Sequence, residues 1–536
     1  MLLPLSTVAL AASFAQGLAL PHEQENTSLA ARQSSTFNNP VLWEDLADLD
    51  VFRVDDAYYY SSSTMHYSPG APILRSYDLV NWEYVGHSVP TLDWGSKYNM
   101  EGGERAYVKG IWASSLRYRP SNGKWYWIGC IEFGKTYIYT SDSETGPFEK
   151  SATLDTCLYD CGILIDDDDT MYVAYGNTQI SVAQLDADGL SIVKSQEVFS
   201  TPGDIGTLEG SRMYKRDGQY YILTTRPANQ EWVLKSSDPF GNYDYKILAD
   251  GLSPPVGGGG NPHQGGLVDT SEGDWYYMAF EDAYPGGRIP VLAPVTWGDD
   301  GFPAVTTVDG AWGQSYDMPL PEHEVPSTVG TDSFEGSSLA AAWEWNHNPD
   351  TNGFEVSDGL TLKTVSVTTD LYSARNTLTR RIHGPKSTAT IVIDVSNMAD
   401  GDVAGLSLLR DQSAWIGVRK SNGGYNVAMT NSITMDSNWA TNNEGSVVDQ
   451  ADVSETTIYL RGTVDITPGS GRTGSFSYST DGDNFTPLGD DLTLNSDWQF
   501  FMGYRWGIFN VSILPISFAV PSPLSPLYAF LEEQSC

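Results

Sequence analysis

From residue 53 to residue 280, a polar turn followed by a run of bulky aromatic residues recurs five times. The segments are RVDDAYYY (53–60), RPSNGKWYW (119–127), DDDDTMYVAYG (166–176), KRDGQYYIL (215–223) and SEGDWYYMA (271–279). Counted from Tyr58, Trp125, Met171, Tyr220 and Trp275, they repeat about every 45–70 residues, at or just beyond the spacing of propeller blades. Polar turns enter helices poorly and aromatic runs favour a pleated surface, so each segment reads as an antiparallel hairpin. The connections SYDLVNW, SETGPFEKS and SSDPFGNYDY are turn-like, and helical periodicity is nearly absent. The pattern predicts an all-β fold whose first part, residues 33–320, is a five-bladed β-propeller with a narrow axial funnel.

A Pro-rich stretch, MPLPEHEVPSTVG at 318–330, ends this region. Beyond it, GLTLKTVSV (359–367), STATIVIDVS (387–396), ETTIYLRGTVDI (455–466) and GSFSYSTDG (474–482) carry the alternation of half-buried strands. They predict a β-sandwich over residues 331–522, followed by a tail, 523–536, pinned by a disulfide from Cys536. At the other end, MLLPLSTVALAASFAQGLAL has the apolar length and small residues of a signal peptide, without a basic leader. Leu29–Ala30–Ala31–Arg32 reads as a propeptide processing point that leaves Gln33 first, so residues 1–32 are expected to be absent from an exported, soluble protein.

Asp and Glu number 68 against 30 Lys and Arg, a formal charge of −38. Such a surface repels nucleic acid and anionic membranes, and suits either a neutral polymer as partner or simple solubility in acidic surroundings. Cys130, Cys157, Cys161 and Cys536 allow one or two disulfides in an oxidising compartment. The Cys157/Cys161 spacing favours a structural bridge over a zinc site. Asn26, Asn484 and Asn510 head glycosylation sequons. The Gly-rich run Val256–Gly260 lacks the strand–loop–helix context of a phosphate cradle and reads as a close-packed loop.

Among so many acids most are solvated, and Asp55–Asp56 and Asp166–Asp169 lie in turns that should face solvent. Three stand apart by position. Asp48 in LADLDVFRV, Asp160 in CLYDCGILIDDDD and Glu209 in GTLEGSRMYKRDGQYY each precede a turn-plus-aromatic device, where an innermost blade strand begins. Equivalent positions in different blades converge on the axis. Paired carboxyl groups flanking an anomeric carbon are what glycosidic hydrolysis requires, and a third nearby would hold the acid protonated. Sugar rings pack on Trp and Tyr faces, which this chain has in abundance.

These residues lead to a family. NPVLWEDLADLDVFRVDDAYYYSSSTMHYSPGAPILRSYDLVNW, GIWASSLRY, YDCGILIDDDD, LEGSRMYKRDGQYYILTT, NPHQGGLVDT and GGRIPVLAPVTW form an ordered series that resembles glycoside hydrolase family 43 over residues 38–310. Residues 331–520, with WEWNHNPD, ARNTLTRR and MADGDVAGLSLL, resemble the C-terminal β-sandwich that many members carry. The resemblance implies a five-bladed propeller acting on arabinose- and xylose-containing polysaccharides with inversion. It places Asp48 as general base, with Asp45 and Asp50 as rivals because Leu49 stands where the family has Pro. It makes Glu209 the general acid, although Ser211–Arg212 replace a frequent Pro-His, and Asp160 the carboxylate that tunes the acid. His263 matches a histidine near the axis that in several members holds calcium directly or through water. Arg288 matches an arginine that contacts the sugar.

On the residues alone, His263 also reads as a hydrogen-bonded loop residue and Arg288 as an ion-pair partner. Trp112 and Tyr159 read equally as core packing or as walls of the sugar pocket. Neighbours on a strand face opposite ways unless a bulge intervenes, so placing Tyr159 beside Asp160 rests on the resemblance. The whole chain resembles fungal α-L-arabinofuranosidases that debranch arabinoxylan, including doubly substituted xylose. A β-xylosidase, a non-catalytic sugar-binding propeller and, less well, a retaining fructan-active propeller are the alternatives. No cofactor is required for the chemistry, structural calcium is an option, and a monomer is expected. Inversion needs room for water between the base and the anomeric carbon, so a separation of roughly 6.5–9.5 Å between the carboxyl groups is expected, rather than about 5–5.5 Å.

Overall fold

The polar turns are tight hairpins held by residues that accept a left-handed backbone. Asp55 and Asp169 have φ of 53° and 69°, and Asp217–Gly218 follow with 50° and 74°, the mirror-type turn that matches strand twist. The computed structural model describes residues 36–514 and 527–534. The leader, Gln33, Asn26 and Cys536 lie outside the described residues. Each hairpin opens a four-stranded antiparallel sheet, and there are five. Their first strands are Asp50–Val54, Ser115–Arg119, Gly162–Ile165, Glu209–Arg216 and His263–Asp269. These five neighbour one another in a closed ring, so they are the inner strands of a five-bladed propeller.

Each blade comes from one contiguous segment, so the wheel needs a separate clasp. Thr36–Asn38 pairs antiparallel with Ser315–Asp317. The Asn39 amide adds bonds to the Leu292 carbonyl at 2.9 Å and the Gly313 carbonyl at 3.0 Å, and accepts from the Leu292 amide at 2.8 Å. The chain then runs along blade five, with the Leu46 amide on the Arg288 carbonyl, and so delivers Asp48 to the axis.

Residues from Gly330 onward form two packed sheets around a core that includes Trp345, Ile391, Leu406, Trp506 and Phe530. The segment expected to be a tail is instead a strand, Leu527–Gln534, paired with Lys386–Asp394 inside the sandwich. Instead of bonding to water as in a tail, its backbone groups pair with Lys386–Asp394 on one side and Gly330–Asp332 on the other. The sequon residue Asn510 is 3% exposed and donates to the Leu362 carbonyl, so it offers no free amide to a glycan, whereas Asn484 lies in an exposed turn. The predicted bridge exists but joins Cys130 to Cys157, leaving Cys161 a buried thiol that donates to the Ile128 carbonyl. The Gly-rich loop is close-packed: a Cβ on Gly259 would meet a Glu281 carboxyl oxygen at 2.9 Å. No helix among the described residues is long and apolar enough to cross a membrane.

The two units share a sheet. Tyr67–Ser68 of the propeller adds to the edge of the sandwich by pairing with Trp345–Asn346. Around this seam Glu344, fully buried, accepts from Arg505 at 2.6 Å, Arg381 at 3.0 Å and His87 of blade one at 3.1 Å. Burial alone would raise its pKa, but the two guanidinium groups hold it far below the ordinary carboxylate range. Replacing Glu344 with Gln strands two buried cations. We expect a loss of about 3–5 kcal/mol in denaturant unfolding, compared with less than 1 kcal/mol for a surface carboxylate.

Candidate active site

All three expected carboxylates open onto one pocket of about 120 Å³, together with Met65, Trp112, Ala113, Tyr159, Gln264, Arg288 and Phe501. Asp48 lies just before the inner strand of blade one, Asp160 before that of blade three, and Glu209 begins that of blade four. Asp48 and Asp160 take φ of 54° and 47°. Such a left-handed residue is strained and rare outside Asn, Asp and Gly, and it turns the chain so that the following strand can stay in the blade. It also answers the Tyr159 question. The pair sits in a turn rather than in a strand, so Tyr159 and Asp160 both line the pocket.

One side chain ties these loops together. Arg212, 1% exposed, donates to the carbonyls of Asp48 at 2.8 Å, Leu49 at 2.9 Å, Cys161 at 2.7 Å and Ser211 at 3.0 Å. The Ser211 amide returns a 2.9 Å bond to the Asp160 carbonyl. Gly162 makes this crossing feasible, because a Cβ there would lie 2.6 Å from the Arg212 Cα.

The base candidate is itself held on both oxygens. Arg288 donates to Asp48 Oδ1 at 2.8 Å and Ser63 donates to Oδ2 at 2.7 Å. Arg288 is therefore both an ion-pair partner and a wall of the pocket. The rivals are occupied elsewhere. Asp50 accepts from Ser115 Oγ, Arg117 and the Leu116 amide, bracing blade one against blade two. Asp45 accepts from the Arg288 amide and, across the domain seam, from the Gly503 amide at 3.0 Å.

Glu209 Oε2 accepts from Asn177 at 2.6 Å and from the Tyr159 hydroxyl at 3.2 Å. Its pKa is raised, chiefly by burial; the Tyr159 bond pulls it back and the Asp48 charge pushes it up. Asp160 is raised well above the carboxylate range by burial, then by the charges of Glu209 and Asp48. The expected action of Asp160 on Glu209 appears in the other direction: the Glu209 charge acts on Asp160, whereas the charge that acts on Glu209 is that of Asp48.

Two expectations need changing. His263, the first residue of the inner strand of blade five, is not among the residues that line the pocket, whereas its neighbour Gln264 is. The His263 Nδ1–H donates to the Asn261 carbonyl at 2.8 Å, and burial lowers the ring's pKa. Among the described residues no three His, Cys, Asp or Glu side chains converge to hold a metal, so an ion at His263 would rest on one ring nitrogen and water. Asp166 is not solvated: it is buried, accepts from Tyr220 at 2.6 Å and pairs with Lys215, while Asp167 and Asp168 are exposed. Sequence reasoning missed Ser63, Asn177, Gln264 and Phe501. The aromatic run WQFFMGYRW offered a signal for Phe501, but nothing in it pointed across to the propeller.

Both domains match known proteins. Residues 37–303 match Glycosyl hydrolases family 43, and residues 331–515 match the Beta xylosidase C-terminal Concanavalin A-like domain. A solved structure of a GH43 glycoside hydrolase, engineered to display both endo-xylanase and exo-arabinofuranosidase activity, is 46% identical. It superposes with a TM-score of 0.88, covering 93% of this chain and all of the other. The chain belongs to glycoside hydrolase family 43. Among curated relatives of this family-43 enzyme, a beta-xylosidase of Formosa agariphila is 28% identical, covering 69% of this chain and 72% of the relative. A non-reducing end alpha-L-arabinofuranosidase of Bacteroides ovatus is 26% identical, over 72% and 75%.

The bond from Tyr159 to Glu209 yields a directional expectation. It stabilises the carboxylate, so Tyr159→Phe should raise the acid's pKa. The limb of kcat/KM that falls with rising pH should move upward by up to about one pH unit. A limb that stays put while KM alone changes would assign Tyr159 to packing.

Proposed function

We propose that this family-43 hydrolase is an exported α-L-arabinofuranosidase that removes L-arabinofuranose side chains from arabinoxylan, including doubly substituted xylose, with inversion. The carrying observation is the pocket of about 120 Å³, which fits one pentose ring and brings three carboxyl groups to it. The 46% identity to a hydrolase with exo-arabinofuranosidase activity supports the same pentose. The Cys130–Cys157 disulfide supports an oxidising, extracellular setting.

In this reading water lies between Asp48 and the anomeric carbon. Asp48, aimed by Arg288 and Ser63, takes its proton as the new bond forms. Glu209, whose raised pKa suits a donor, protonates the departing glycosidic oxygen. Asp160, a second carboxyl group in the same pocket, opposes ionisation of Glu209 by like-charge repulsion and so helps to keep the donor protonated. A β-xylosidase is the second reading, supported by the names of curated relatives and by Phe501, which the sandwich inserts into the pocket wall.

Incubation with arabinoxylan should release arabinose in excess of xylose, and xylose as the main product would move the assignment to the second reading. In proton NMR, the first sugar released should carry the configuration opposite to the bond cleaved; retention would reject the mechanism. Glu209→Gln should lower kcat by about 10²–10⁴-fold with KM changed little.

A further inference from the structure

The most exposed large apolar side chain among the described residues is Phe133, at 62%. It stands at the tip of the blade-two hairpin between Lys124–Ile131 and Lys135–Ser141. Both Glu132 and Phe133 are left-handed, with φ of 50° and 56°. Turns of this kind favour Asn, Asp and Gly, so two consecutive larger residues are held there against their preference. The tip is nonetheless firmly anchored. Glu132 pairs with Lys97 and accepts from the Tyr98 hydroxyl at 2.5 Å. The Cys130–Cys157 disulfide staples this hairpin to the loop that carries Tyr159 and Asp160.

The ring is also fixed by its neighbours. Phe133 stacks on Tyr159 at 5.4 Å with planes 23° apart, and meets Trp112 edge-on at 5.1 Å and 82°. Both partners line the pentose pocket, whereas Phe133 lies outside it, with most of its surface in water. Tyr159 is bonded to Glu209, so Phe133 is one ring beyond the acid. In an inverting reaction the acid sits on the leaving-group side. A pre-set aromatic face at that position is where the next sugar of the substrate passes.

We propose that Phe133 is a second sugar subsite, a platform for the backbone xylose to which the departing pentose is attached. The inference rests on the inverting reading of Glu209 as acid. It makes the enzyme select a polymer by stacking outside the pocket, while the pocket selects the pentose. The strain at the hairpin tip and the disulfide then have one purpose: an immobile ring loses little freedom when the chain lies on it.

The test has a binding arm and a kinetic arm. In a Glu209→Gln background, where nothing is cleaved, calorimetric titration with xylotetraose should show affinity falling about tenfold on adding Phe133→Ala and largely kept on adding Phe133→Tyr. In the active enzyme, Phe133→Ala should lower kcat/KM on arabinoxylo-oligosaccharides by about tenfold. It should leave kcat/KM on methyl α-L-arabinofuranoside, whose leaving group is methanol, within about twofold of the parent. Equal affinity for xylotetraose with and without Phe133 overturns the proposal. So does an equal fall on both glycosides, which would make the ring a prop for Tyr159. If the parent releases no arabinose but xylotetraose binding still depends on Phe133, the pentose assignment fails and the subsite stands.

Discussion

A single buried guanidinium holds this molecule's chemistry in register. Arg212 belongs to the strand that presents Glu209, yet it grips carbonyls at Asp48–Leu49 and at Cys161, the turns that present the other two acids. Blades of a propeller are otherwise joined mainly by side-chain packing, which tolerates small slips. Hydrogen bonds of 2.7–3.0 Å from one planar group do not. The group's nearest carboxylate is Asp50, 3.8 Å away, so its charge faces mostly carbonyl oxygens and the Asp50 carboxylate. The Ser211–Arg212 pair is, in this chain, the knot at the hub.

The second constraint comes from the sandwich. It extends its sheet onto the propeller through Tyr67–Ser68 and reaches the loop before Asp48 through the Gly503 amide on Asp45 and the Arg381 side chain on the Asp45 carbonyl. The Phe501 carbonyl accepts from Arg288 at 3.0 Å, so the same arginine that holds Asp48 also contacts the second domain. The active site is therefore a property of the whole chain. A propeller cut at the Pro-rich boundary would lose part of the pocket wall and one of the partners of Arg288.

The wheel was readable because its signal is local. A polar turn beside an aromatic run lies within ten or so residues, and five copies make a count. The three acids were readable for the same reason, each being placed by its distance from such a turn. What escaped was set by contacts distant in sequence. Asn177 binds Glu209 from another strand of the neighbouring blade, and Phe501 arrives from a different domain. The facing of Tyr159 with Asp160 depended on one backbone torsion, which no side-chain alternation encodes. The last strand was missed because a short apolar segment after a long gap resembles a tail until a sheet edge is there to receive it.

The central claim is that carboxyl groups from three blades act on one pentose. The most direct measurement is a crystal structure of the Glu209→Gln variant with an arabinose-branched xylo-oligosaccharide. The account predicts a single arabinofuranose ring in the pocket, its glycosidic oxygen at residue 209 and a water between Asp48 and the anomeric carbon. An oligosaccharide bound elsewhere, or a pentose whose anomeric carbon faces away from Asp48, would contradict it.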